Sequence, residues 1–169
     1  MPNADIVDVT EGIKTEIEGH DWGHEMCVIR SYANVREELK ELDEIRIDVV
    51  PWASTPEMDS VGSIDTACEV DIYIRKKFKK SEQDDEGVIP NEDIDPMMKL
   101  VTDIYEFFMP SQNQDAALMR SGRQLTDLPE ARWTETRLVS HYLRRELKER
   151  MFAGWIRLTY SLHKTIAIT

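Results

Sequence analysis

Thr66-Ala67-Cys68-Glu69-Val70-Asp71-Ile72-Tyr73-Ile74 is the stretch that decides the fold. Cys68, Val70, Ile72 and Ile74 point one way, and Ala67, Glu69, Asp71 and Tyr73 the other. A period of two over that length is the mark of a half-buried antiparallel strand. The apolar row is expected in the core, and the row with Glu69 and Asp71 at solvent or at a partner.

The same period recurs outward from this strand. Phe152, Gly154, Ile156, Leu158, Tyr160 and Leu162 alternate with Ala153, Trp155, Arg157, Thr159, Ser161 and His163, a long closing strand. In 44–50, Ile45, Ile47 and Val49 alternate with Arg46, Asp48 and Val50, and Pro51 is expected to end that strand. Met26 to Tyr32 is short, apolar and partly β-branched, and Ala131 to Val139 alternates loosely, as an edge strand does. Ile6, Val9, Ile13 and Ile17 recur at helical steps, with Asp5 placed to cap and Gly19 to close. A second helix is expected from Asp95 as cap and Pro96 at the first helical position, with Met97, Leu100, Val101, Ile104, Tyr105 and Phe108 on one face and Pro110 as its stop.

Between these elements, Val35 to Asp43 reads as a short helical turn and Gln112 to Arg120 as a weak helix. Trp52 to Ile64, with Pro56 and Gly62, reads as a long surface connection, and the charged stretch 79–95 as an exposed insertion. The sum is a single α+β domain over 1–169, a mostly antiparallel sheet with helices packed on one face.

A chain of 169 residues, 41% apolar, can bury a core without metal or disulfide staples. No apolar run reaches the roughly 18 residues needed to cross a bilayer, and the start MPNADIVDVTEG lacks a basic n-region and an h-region, so a soluble, unexported protein is expected. Cys27 and Cys68 both fall in strand patterns and are expected to be buried and reduced. The net charge of −12 disfavours a broad phosphate-binding surface, and with it sequence-specific DNA binding.

His20-Asp21-Trp22-Gly23-His24-Glu25 carries the residue types of a divalent-metal site, and a small metal-dependent hydrolase is the enzyme it would support. Its spacing is not the helical His-Glu-x-x-His pattern, and Gly19 and Gly23 make it a turn, so a polar corner between helix and strand is expected. There is no Gly-x-Ser-x-Gly elbow, no Gly-x-Gly-x-x-Gly and no Walker loop. No catalytic, cofactor or metal residue is assigned, and the chain is read as a non-enzyme.

Surface contact is the remaining mode of action, and its candidates are few. Trp52 sits in the long connection, and Glu69 and Asp71 on the polar strand face. Arg75, Lys76 and Lys77 open a basic run that either blunts a sheet edge or touches phosphate or an acidic neighbouring subunit. Arg144 and Arg145 alternate with acidic residues, which suits an exposed helix or a subunit contact.

The order of these segments carries a resemblance. An N-terminal helix, then Cys27-Val28-Ile29-Arg30-Ser31-Tyr32, then Glu38-Leu39-Lys40-Glu41-Leu42 leading into Ile45-Arg46-Ile47-Asp48-Val49-Val50-Pro51, is similar to the front of phage tail-terminator and tail-completion proteins. Val70-Asp71-Ile72-Tyr73-Ile74-Arg75-Lys76-Lys77 resembles their Val-Asp-Ile-x-Val-x-Lys-Lys strand, Leu100 to Phe108 their covering helix, and Phe152 to Leu162 their closing strand. Most of the chain is covered; 79–95 and 112–128 have no counterpart.

The resemblance implies a homo-hexameric ring in the tail or neck of the virion, formed in the host cytoplasm. It would sit on the last ring of tail tube protein, halt polymerisation and offer a platform to a head-side connector or neck protein. DNA would pass through without specific binding, past a lumen that the acidic face with Glu69 and Asp71 would suit. The resemblance carries no catalytic residue. A head-completion or neck connector is the alternative within the same group, and a host-side regulatory binding module would differ from both by being a monomer or dimer.

Overall fold

The structure, a computed structural model, describes residues 3–32, 44–79, 89–110 and 122–166. It is an α+β fold built on one five-stranded sheet in the order β1-β2-β3-β5-β4. The strands are β1 (Met26–Arg30), β2 (Ile45–Ser60), β3 (Ser63–Lys77), β4 (Arg132–Ser140) and β5 (Met151–Thr165). All neighbours are antiparallel except β1 and β2, which run parallel with Met26 opposite Ile45. That one parallel pair departs from the antiparallel order expected for successive strands. A parallel pair needs a crossover of a dozen or so residues, a length that 31–44 supplies.

Helices α1 (Asp5–Glu18) and α2 (Asn91–Phe108) lie on one face of the sheet. From α1, Val9, Ile13 and Ile17 reach the core fully buried, four residues apart, and Ile6, three residues before Val9, packs against it partly buried. Ala4, not Asp5, is the residue before its first turn, and Asp5 and Asp8 lie within that turn, where the helix dipole favours negative charge. From α2 come Met97, Leu100, Val101, Ile104 and Phe108. This helix begins at Asn91 rather than at Asp95, so Pro96 falls inside it; Glu92 and Asp93 supply the acidic first turn. The inward rows of β2, β3 and β5 meet these side chains as their period predicts, with Ile47, Val49, Val70, Ile72, Ile74, Ile156 and Leu158 without exposed surface. Gly154 is needed there, because a Cβ at that position would come within 2.4 Å of a Val101 methyl.

The largest departure from expectation lies at 52–64. Pro51 does not end β2, which continues to Ser60 and turns over Val61 and Gly62 into β3. Gly62 has φ +90°, in the left-handed region that favours glycine in a tight turn. Pro51 keeps its place because a bulge between Pro51 and Ala53 interrupts the ladder where an N–H is missing. Beyond the last β4 pairing, Arg132 with Ser161, the ends of β2, β3 and β5 form a three-stranded tongue, with Asp65 opposite His163 and Ile166 N–H donating to Gly62 O at 2.6 Å.

The short helix α3 (Arg144–Leu147) precedes β5, and β4 forms the edge strand expected near Ala131 to Val139. The turn at 35–43, the weak helix at 112–120 and residues 80–88 of the insertion lie outside the described residues. No helix among the described residues is long and apolar enough to cross a membrane.

Candidate functional site

The sheet face opposite α1 and α2 carries the polar rows of β2, β3 and β5, and it is not the solvated surface their alternation implied. Asp71 has no exposed surface, and Arg157 of β5 holds it with two hydrogen bonds, Nε at 2.7 Å and NH2 at 2.9 Å. That pairing draws the Arg157 guanidinium above its ordinary value. Beside it, Arg75 is 2% exposed; burial lowers its pKa, and Asp48, 3.7 Å from its NH2, opposes the shift. Asp48 also accepts a hydrogen bond from Arg46 Nε at 3.1 Å. Asp71 and Arg75 are therefore structural ion-pair members, not free surface, and Asp71 does not belong to an acidic lumen lining.

Aromatic rings knit these pairs together. Tyr73 and Trp155, opposite each other in the ladder, stack with centroids 5.5 Å apart. The Arg75 guanidinium lies 5.3 Å from the Tyr73 ring, and that of Arg157 lies 4.8 Å from Trp52 and 5.6 Å from Trp155. Burial and then the Asp71 charge push the Tyr73 hydroxyl up. Trp155 Nε1, Arg75 NH2 and Asp48 Oδ2 are buried on this face without a hydrogen-bond partner. Trp52 is the bulged residue of β2 and is 59% exposed, so its exposure comes from a bulge on a strand and not from a loop.

The tongue is acidic and tipped with apolar side chains. Glu57 and Asp59 are exposed and Asp65 is half-buried, Met58 and Val61 are 81% and 92% exposed, and Glu69, half-buried opposite Ala53, lies at the tongue's base. Asp59, Asp65 and His163 bring one donor atom each to within 4.8 Å of one another, with His163 Nδ1 2.6 Å from Asp65. At the far end of β3, Lys76 is half-buried and Lys77 exposed; Arg144 and Arg145 of α3 are exposed nearby, where Leu143 N–H donates to Ala153 O. The residues predicted for contact are thus split between a buried network, the tongue and this basic end.

At 20–25 the chain forms the expected corner between α1 and β1. Among the described residues, His20, Asp21, His24 and Glu25 do not converge as a three-ligand group. The His20 ring packs 4.3 Å from Trp22 and 4.7 Å from Phe107, and Trp22 Nε1 donates to Ile17 O at 2.8 Å. The corner, with Gly23 at φ +72°, borders a cavity of about 230 Å³ lined by Ile17, Trp22, His24 and Val28 among others. Cys27 is exposed on β1, contrary to expectation, while Cys68 is buried as expected.

Two features escaped the sequence. Alternation places Arg157 only as an outward residue of the last strand, and its partner Asp71 is 86 residues away. Glu16, in the first helix, accepts hydrogen bonds from Thr126 N–H at 2.7 Å and Arg123 Nε at 2.5 Å, binding 122–128 to α1. Neither pair has a local signal. No protein-family model matches the chain, and no curated protein matches it in sequence.

Proposed function

We propose that the protein is a structural component of a phage virion, which caps the tail tube, ends tail polymerisation and forms the tail-side platform for head joining. It acts by surface complementarity and not by catalysis, as a homo-oligomeric ring, the form the resemblance implies. The observation that carries this reading is the tongue. The ends of β2 and β3 present Met58 and Val61, 81% and 92% exposed, inside an acidic rim. An apolar centre with a polar rim is the anatomy of a protein-binding surface. The net charge of −12 suits a protein beside a DNA channel, since like charge keeps the duplex from adhering.

The test adds the purified chain to polymerising tail tube protein and measures tube lengths by electron microscopy. Tubes that stop at a capped end support the reading; lengths unchanged at stoichiometric excess count against it. A protein that leaves tubes alone but joins portal-side rings would be the neck connector instead.

A further inference from the structure

Strand β3 runs from an acidic end to a basic one. Asp65 lies in the tongue opposite Glu57 of β2, with Asp59 two residues beyond Glu57, and Glu69 lies four residues further in, opposite Ala53. Twelve residues beyond Asp65, Lys77 closes the strand with Lys76 before it, and Arg144, Arg145 and Lys148 are exposed on the adjoining α3 segment. At about 3.3 Å per residue the two ends are roughly 40 Å apart. That is several times the screening length of about 8–10 Å at physiological salt, so the ends do not compensate each other within one subunit. Each end also has an apolar centre: Met58 and Val61 on the tongue, and Val139 and Tyr142, 36% and 39% exposed, next to α3.

The complement of each end is therefore present on the other end of the same chain, and a second copy is the partner that both fit. We propose that the tongue of one subunit docks on the basic end of the next copy. Met58 and Val61 pack against Val139 and Tyr142, ringed by Glu57, Asp59 and Asp65 facing Arg144, Arg145 and Lys77. Copies carrying −12 repel overall, so association needs a local match of opposite sign, and tongue on tongue would oppose like charges. Repeated head to tail, such a contact gives a ring where its rotation closes and an open filament where it does not, and the ring is the form the terminator needs. That last step rests on the terminator reading; the contact itself does not.

The test is charge exchange, read by light scattering on size-exclusion fractions at low salt. Glu57→Lys with Asp59→Lys reverses the tongue, and Arg144→Glu with Arg145→Glu reverses the basic end, all at exposed positions. Each variant alone should remain monomeric at concentrations where the wild type assembles, with an unchanged melting curve. Mixing the two variants, or combining all four substitutions in one chain, should restore assembly. Variants that assemble like the wild type, restored charge pairs that leave folded monomers, or a wild type that assembles neither alone nor with tube protein would each overturn the contact. Restored rings that do not stop tube growth, or a restored closed dimer, keep the contact and remove the terminator reading.

Discussion

Arg157 closes on Asp71 with both Nε and NH2, at 2.7 and 2.9 Å, at a point where the carboxylate has lost all contact with solvent. A strand position that alternation places outside is thereby part of the interior. Removing one member of a buried pair leaves the other charge uncompensated, which typically costs about 3–5 kcal/mol. Because Arg157 keeps some exposure, Asp71→Ala is expected to lose about 3 kcal/mol in urea unfolding, and Asp71→Leu combined with Arg157→Met to recover most of it. A loss under about 1 kcal/mol would show that the pair is not holding the second face.

Ile72, fully buried at the centre of β3, tests the register of the sheet. Ile72→Asp puts an unpaired charge among the α1 and α2 side chains and should abolish the cooperative thermal transition. A soluble variant that melts cooperatively would contradict the assigned face.

Trp52 should matter to assembly and little to folding. With 59% of its surface exposed and the Arg157 cation 4.8 Å from its ring, Trp52→Ala is expected to cost under about 1 kcal/mol. Circular dichroism and melting should stay close to the wild type while capping of tube protein weakens. A large stability loss would make the tryptophan part of the core.

Acid should loosen 122–128 from α1. Burial raises the Glu16 carboxyl, but the hydrogen bonds from Thr126 and Arg123 together outweigh it and hold the group below its ordinary 4.5. A depressed folded value means that the stabilisation is complete above that ordinary value and is lost as pH falls through the lower folded one. Glu16→Gln should therefore cost stability at pH 7, about 2 kcal/mol, and flatten its decline toward low pH. An unchanged acid limb in pH-dependent denaturation would contradict this.

The two thiols should separate cleanly. Burial, and after it the negative charge of Asp5, push Cys68 up to about 11, whereas Cys27 is exposed. Labelling at neutral pH should modify one thiol per chain, at Cys27, and reach Cys68 only in denaturant. Equal labelling of both in the native protein would contradict the burial of Cys68.

Periodicity made the helix-covered side of the fold legible. The rows Cys68 to Ile74 and Phe152 to Leu162, and the helical steps of Val9, Ile13 and Ile17, each depend on burial against one side, which sequence records directly. What it did not record depends on distant partners. Pro51, Pro56 and the small polar residues around them read as a loop because β2 is held there by backbone ladders to β3, with bulges at both irregular points. Asp71 and Arg75 read as solvated because alternation assigns a face but not what fills it. Cys27 read as buried because a five-residue strand of apolar character gives no clue to which of its rows meets the core.

The most direct measurement is light scattering coupled to size exclusion on the purified chain, alone and with polymerising tail tube protein. The account predicts a ring, or a monomer that becomes a ring on the tube end and stops its growth. A chain that remains monomeric and leaves tube growth unchanged would contradict it.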